Sequence, residues 1–337
     1  MGERLRLELA IERWPLSRPF RISGFTFEHS EVAVATLSDG RARGRGEASG
    51  VYYHGDTPAG IVETLEAHRD FIEGGVTREA LREALPPCGA RNAIDCAIWE
   101  LEAARVGKPV WRIALDSAPR PLLTTCTVGA DTPEAMAEGA RAYVGARAVK
   151  LKLIGDGEDA ARVAAVRQAR PDVWLAVDAN QGFSPTTLRD LMPALLAADV
   201  KLIEQPLPIG AEAELEGFAS PIPLAADESA QGLADVGALA GCFQVVNIKL
   251  DKCGGLTEGL MMAREAKRLG LKVMVGNMSG TSLAMAPSFI VGQLCDVVDL
   301  DGPLLLARDR DPPVRYVDGY IHCDEAVWGA GAPARAA

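Results

Sequence analysis

The sequence predicts an α/β fold, a (β/α) barrel of TIM type joined to a smaller α+β domain. Three observations predict it. The chain has 337 residues with 48% apolar content, enough for a barrel and a partner domain. From Leu122 onward, short β-branched runs alternate with helical segments, the pattern of parallel strands with crossover helices. Ionisable residues then recur at the ends of those runs, one βα unit apart.

The first fifty residues read as strands. LRLELAIERW alternates charged and apolar side chains, and EVAVATLSDGRARGRGEA reads as a hairpin turning at Asp39-Gly40. Residues 58–106 read as helices: AGIVETLEAHRDFI, TREALREAL and ARNAIDCAIWELEAARVG each carry helical apolar spacing. The last of these stops at Gly107 with Pro109 behind it. Eight strand candidates follow: LLTTCTV, AVKLKLI, VWLAVDAN, VKLIEQP, IPLAADES, FQVVNIKL, LKVMVGN and CDVVDLD. Eight such units close into a barrel. The tail after about residue 310 holds no further unit and is expected to return to the first domain. The expected divisions are 1–118 for the α+β domain, 119–309 for the barrel and 310–337 for the returning segment, with GAGAPARAA loose at the end.

Composition excludes several classes. There are 35 basic and 46 acidic residues, a net charge of −11, which disfavours nucleic acid as a partner. No apolar run approaches the roughly 18 residues of a membrane span. The N-terminus MGERLRLELAIERW lacks a signal peptide's apolar stretch, so a cytoplasmic protein is expected. The seven cysteines, Cys88, Cys96, Cys126, Cys242, Cys253, Cys295 and Cys323, form no CxxC pair and read as small buried residues.

Lys152, Asp178, Glu204, Asp227 and Lys249 are separated by 26, 26, 23 and 22 residues. They therefore fall at the C-terminal ends of five consecutive strands, the active-site face of this fold. Asp178, Glu204 and Asp227 on adjacent strands would repel one another and raise each other's pKa unless a hard cation sits between them. Mg²⁺ takes such oxygen ligands and keeps positions open for a substrate carboxylate. No His or Cys stands at these ends, which argues against zinc. Lys150 and Lys152 share one strand face and point into the barrel mouth, where two neighbouring ammonium groups should lower a lysine pKa towards that of a useful base. Lys249 ends a strand on the far side. A substrate held between Lys152 and Lys249 could lose a proton from one face and regain one on the other, with the metal steadying the enediolate between the two transfers.

The motifs KLK at 150–152, VDAN at 177–180, EQPLP at 204–208, ADES at 226–229, VNIKLDKCGGLTEG at 246–259 and DLDGP at 299–303 resemble the muconate-lactonizing branch of the enolase superfamily. GARNAIDCAIWEL at 89–101 resembles its capping domain. The likeness covers nearly the whole chain and is greatest to the dipeptide epimerases of L-Ala-D/L-Glu epimerase type. It implies a modified (β/α)8 barrel, (β/α)7β, with an α+β capping domain. It implies Mg²⁺ on Asp178, Glu204 and Asp227, and Lys152 and Lys249 as the acid/base pair with Lys150 in support. It further implies that Asp299 and Asp301 receive the free ammonium of a dipeptide, the substrate partner, while Thr127, Met278 and Ser279 offer further contacts.

One position departs from the pattern. Epimerases selective for Ala-Glu carry an arginine where this chain has Gly24, and the nearby Arg21 is expected to point away because Ile22 packs inward. Selectivity for an acidic second residue is therefore not expected. A cycloisomerase, an o-succinylbenzoate synthase or an N-acylamino-acid racemase would share the metal and the lysines without needing Asp299 and Asp301. A non-catalytic binding barrel would have no use for the carboxylates and lysines together. A homo-oligomer is compatible with any of these.

Overall fold

The computed structural model describes residues 4–22 and 25–330. Strands β1 (Arg6–Ile22), β2 (Phe25–Ser38) and β3 (Arg43–Ala48) form an antiparallel sheet. The turn between β2 and β3 is closed by Asp39, whose carboxylate accepts from Arg41 N and Ala42 N, with Gly40 at φ 84°. Helices α1 (Pro58–Ala67), α2 (Arg69–Glu73), α3 (Arg78–Ala84), α4 (Gly89–Val106) and α5 (Val110–Ala114) follow. The segment 59–72 reads as one helix in the sequence but breaks at His68. Its ring takes the Thr64 carbonyl at 2.8 Å, the group its own N–H would use in a continuous helix, and that N–H turns to Leu65 O.

Helix α4 is buried along most of its length because it has neighbours on both sides. One side lies directly on β3: a Cβ at Gly44 or Gly46 would stand 2.0 Å from the carbonyl oxygens of Ala97 or Ala93, so only glycine permits the approach. The other side meets the barrel. Arg91 donates to Cys253 O, Gly254 O and Glu258, and Asp95 accepts from Thr257 N and Oγ1. These bonds explain the charged residues inside an otherwise apolar helix.

The barrel elements are β4 (Leu122–Leu123), β5 (Cys126–Val128), α6 (Pro133–Ala142), β6 (Ala148–Lys152), α7 (Asp159–Ala169), β7 (Trp174–Asp178), α8 (Pro185–Ala197), β8 (Val200–Glu204), β9 (Leu224–Ala226), α9 (Val236–Leu239), β10 (Val245–Ile248), α10 (Leu250–Cys253), α11 (Leu256–Arg268), β11 (Lys272–Val275), α12 (Ser282–Gly292), β12 (Val297–Val298) and α13 (Gly302–Leu305). Strands β5 to β12 form one curled parallel sheet in chain order. A bond from Thr125 N to Val298 O joins its first and last members.

The run LLTTCTV is not one strand. Its first two residues, β4, pair with the tail strand β14 (Tyr320–His322), which itself pairs with β13 (Arg315–Val317). Thr124 and Thr125 interrupt it because their hydroxyls bond the 299–300 segment: Leu300 N donates to Thr124 Oγ1, and Thr125 Oγ1 donates to Asp299. Beyond β14, Trp328 Nε1 donates to Arg45 O and Gly329 N to Glu100, which brings residues 327–329 against β3 and α4.

Strand alternation divides the core. Val149, Leu151, Leu175, Val177, Ile203, Val246 and Ile248 face the outer helices. Ala176, Leu202, Ala225, Val245 and Met274 make a separate apolar cluster. Asp178, Glu204 and Asp227 stand two residues beyond members of that cluster, on the same face and one layer higher. The apolar floor thus carries the ionisable layer. Cys96, Cys126, Cys242 and Cys253 are buried and all seven cysteines are free. Among the described residues no helix is long and apolar enough to cross a membrane.

Candidate active site

Asp178 and Glu204 are the last residues of β7 and β8 and are direct partners in the ladder, while Asp227 follows β9 by one residue. All three are buried. One oxygen from each lies within 4.8 Å of the others. Burial first, and then the charge of Asp178, push the Glu204 carboxyl up to about 8. Three buried oxygens in mutual repulsion, with no nitrogen or sulfur donor among them, suit a hard cation such as Mg²⁺.

The lysines ring these carboxylates. Lys152 Nζ donates to Asp178 Oδ2 at 2.5 Å, and Lys249 Nζ to Asp227 Oδ2 at 2.6 Å. Lys150 bonds Glu204 Oε2 at 3.1 Å and also Asp299. Lys150 and Lys249 are not brought down. Burial works to lower Lys150, but Asp299, Glu204 and Asp178 outweigh it and hold it well above the usual lysine range. Lys249 is held up in the same way by Asp227 and Glu204, against both burial and Lys150. The reason is that Lys150 has three carboxylates within 4 Å and Lys249 is paired with Asp227 at 2.6 Å.

A fourth lysine escapes the sequence reading. Lys252 donates to Asp227 Oδ1 at 2.6 Å and to the Asp227 carbonyl. It follows Lys249 by one turn of α10, so both can reach the same carboxylate. Burial raises the Asp227 pKa, but Lys249 and Lys252 together hold it below the usual range. Other groups brace the carboxylates. Asn247 Nδ2 donates to Glu204 Oε1 at 2.7 Å, and Gln205 Oε1 accepts from Asp227 N and Ser229 N. Asn180 and Gln205 adopt φ of 41° and 33° at their strand ends, a costly conformation for side-chain-bearing residues. Asn180 Nδ2 donates to Glu228 Oε1 at 3.2 Å. The signal in the sequence was the DAN and ADES pattern itself, in which the neighbours of the acids are polar as well.

Asp299 and Asp301 differ in what they hold. Asp299 accepts from Lys150 and Thr125, and the pull of Lys150 outweighs burial and keeps its pKa low. Asp301 Oδ2 accepts from Thr127 N at 2.6 Å. Burial and the neighbouring Asp299 push Asp301 up to about 6. A space of about 60 Å³ is lined by these two carboxylates and by Lys150, Lys152 and Lys249, with Thr127, Met278 and Ser279 also in its wall. The structure therefore gathers every site residue that the sequence singled out.

A larger cavity of about 320 Å³ adjoins it, roofed by Phe20, Phe27, Tyr52 and Tyr53 and floored by Lys152 and Lys249. Asp251, two residues past Lys249, accepts from Ser49 N and Gly50 N at 2.9 and 3.0 Å and so ties the roof to the barrel. Among the described lining residues, the acids Glu31, Asp56, Asp227 and Glu228 stand in this cavity, and no arginine does. Gly24 lies outside the described residues, as does the side-chain direction of Arg21.

Comparison with known proteins agrees with this geometry. The family described as enolase C-terminal domain-like matches residues 134–332. L-Ala-D/L-Glu epimerase of Escherichia coli is 36% identical over 313 residues, 92% of this chain and 97% of that protein. N-acetyl-D-glutamate racemase of a Pseudoalteromonas species is 43% identical over 272 residues, 80% and 84% of the two chains. An enolase family member from Agrobacterium tumefaciens with homology to dipeptide epimerases, solved with sodium and L-Ala-L-Glu, shares 38% identity at a TM-score of 0.93, covering 96% of this chain and 100% of that one. A dipeptide epimerase from Enterococcus faecalis, solved with Mg and L-Leu-L-Tyr, shares 26% identity at a TM-score of 0.88, covering 97% and 99%.

Proposed function

The chain belongs to the enolase C-terminal domain-like family, and on that premise we propose that it is a magnesium-dependent dipeptide epimerase that inverts the α-carbon of the second residue of an L,L-dipeptide. The observation that carries the proposal is the placement of Lys152 and Lys249. Lys152 ends β6 and Lys249 follows β10 by one residue, with β7, β8 and β9 between them, so they reach the carboxylate trio from different sides, Lys152 at Asp178 and Lys249 at Asp227.

Asp178, Glu204 and Asp227 would hold the magnesium ion, which when bound draws charge from the substrate carboxylate and acidifies the α-carbon. The chain's own residues do the rest. One lysine, unprotonated, takes the α-proton from its face, while the other, an ammonium, delivers a proton to the opposite face. The pair exchanges charge in each turnover and is reset by the reverse reaction or by solvent. Asp301 receives the free ammonium of the first residue. Lys150 stays bound to Asp299 and Glu204; its charge keeps Asp299 ionised and opposes the rise of Glu204. We assign residues 1–118 to a capping domain, 119–309 to the barrel and 310–337 to a segment returning to the cap, on the support of the contacts of Trp328 and Gly329.

The second residue's side chain would enter the 320 Å³ cavity. Its aromatic roof suits apolar and neutral side chains, and its acids disfavour a buried carboxylate without a partner. We therefore expect L-Ala-L-Leu and L-Ala-L-Phe to be epimerised at least as well as L-Ala-L-Glu, measured as kcat/KM. A lead of about a hundredfold for L-Ala-L-Glu, equal to about 2.7 kcal/mol of transition-state discrimination, would show that another cation serves in place of the arginine missing at Gly24.

A further inference from the structure

A second cavity, of about 290 Å³, is lined by residues of β1, by the end of β5 and the segment after it, and by α6. It shares Phe20, Thr127 and Leu305 with the small space that holds Asp299 and Asp301, so the two adjoin. Small residues make its room: Gly129 and Ala130 after β5, and Ala135 and Gly139 one turn apart on α6.

Its cation comes from an irregularity in β1. The register with β2 breaks between Pro15 and Phe20. There the strand turns instead to the segment after β12: Leu16 bridges Leu306, Ala307 N donates to Pro15 O, and Ser17 Oγ donates to Leu305 O at 3.1 Å. Arg18 is thereby carried to the wall of this cavity. Its charge lies near the Tyr143 hydroxyl, which donates to Thr127 O at 3.0 Å. No carboxylate among the described residues forms an ion pair with Arg18. Asp131 also lines the cavity, but its Oδ1 accepts from Thr132 N at 2.8 Å.

We propose that this cavity is the subsite for the side chain of the dipeptide's first residue, and that it takes side chains longer than alanine's that end in an oxygen acceptor, those of glutamate and glutamine. The inference rests on the epimerase reading. With the first residue's ammonium on Asp301 and its carbonyl turned towards the lysines, the remaining substituent of that α-carbon has the wall of Phe20, Thr127 and Leu305 to pass. Beyond it the side chain meets Arg18, whose planar donors fit a carboxylate or an amide oxygen.

The test compares kcat/KM for L-Glu-L-Leu, L-Gln-L-Leu, L-Lys-L-Leu and L-Ala-L-Leu on the magnesium-loaded full chain. Glutamate and glutamine should exceed lysine as first residue. In R18M the ratio of L-Glu-L-Leu to L-Ala-L-Leu should fall about tenfold or more, the loss of a charge-assisted contact. In A135F, which fills the cavity from the exposed start of α6, the ratios of L-Glu-L-Leu and L-Gln-L-Leu to L-Ala-L-Leu should both fall. Ratios unchanged in both variants, or a preference for L-Lys-L-Leu, would overturn the subsite while leaving epimerisation of L-Ala-L-Leu to stand. Absence of turnover with every dipeptide would instead overturn the epimerase reading, and the subsite with it.

Discussion

Lys152→Ala and Lys249→Ala should each abolish epimerisation, and each should keep α-proton exchange with only one stereoisomer of the substrate. Inversion needs a proton removed on one face and a proton delivered on the other. Lys152 Nζ is fixed by Asp178 and Lys249 Nζ by Asp227, so neither is placed to serve both faces. Loss of a positioned general acid or base costs on the order of 10²–10⁴ in rate. The surviving lysine in each variant still faces one α-proton and can exchange it with solvent. Incubating each variant with L,L- and L,D-dipeptide in D₂O, and following the α-proton signal by NMR, separates the two faces. Wild-type epimerisation by either variant would refute the two-base arrangement. Exchange of both isomers by one variant would show that a single base reaches both faces.

Asp301→Asn should produce the second-largest effect. Asp299 already has Lys150 and Thr125 as partners, whereas Asp301 is buried and its pKa is pushed up to about 6 by burial and by Asp299. A substrate ammonium supplies the positive charge that Asp301 lacks. Removing one partner of a buried charge pair costs roughly 2–5 kcal/mol, or about thirtyfold to several thousandfold in kcat/KM. Magnesium affinity should change far less, because Asp301 is not one of the three clustered carboxylates. The same logic sets a pH dependence. A carboxyl whose pKa is raised becomes neutral as the pH drops through that value, so kcat/KM for dipeptides should fall below about pH 6. An N-acetylated amino acid or dipeptide has no ammonium to lose. If N-acetyl-glutamate were turned over as well as a free dipeptide, and Asp301→Asn left it unaffected, the N-acylamino-acid racemase reading would take the place of the epimerase.

Much of this site was legible in the sequence because barrel geometry is periodic. The intervals between Lys152, Asp178, Glu204, Asp227 and Lys249 match one βα unit, and alternation along each strand decides which residue faces inward. The apolar cluster of Ala176, Leu202 and Ala225 lies two residues below the acids for the same reason. What periodicity cannot convey is distant contact. Phe20, Tyr52 and Tyr53 reach the site only because the first sheet folds over the barrel mouth, and Asp251 meets the amides of Ser49 and Gly50 across about two hundred residues of chain. Lys252 stands within the VNIKLDKCGGLTEG motif but was given no role, because the single turn of α10 that aims it back at Asp227 has no local signature. The directions of Lys150 and Lys249 in the metal-free site have a related cause. Counting ammonium groups omits the carboxylates, and here Asp299, Glu204 and Asp227 dominate.

The central claim is metal-dependent proton exchange at the α-carbon of a dipeptide's second residue. It is tested most directly by incubating the protein with L-Ala-L-Leu in D₂O, with Mg²⁺ and with excess chelator, then measuring deuterium by mass spectrometry and configuration by chiral chromatography. The account predicts deuterium at the leucine α-carbon together with D-leucine in the presence of Mg²⁺, and neither with chelator. Turnover that persists in the metal-free protein, or a dipeptide that stays unlabelled and wholly L,L with Mg²⁺ present, would contradict it.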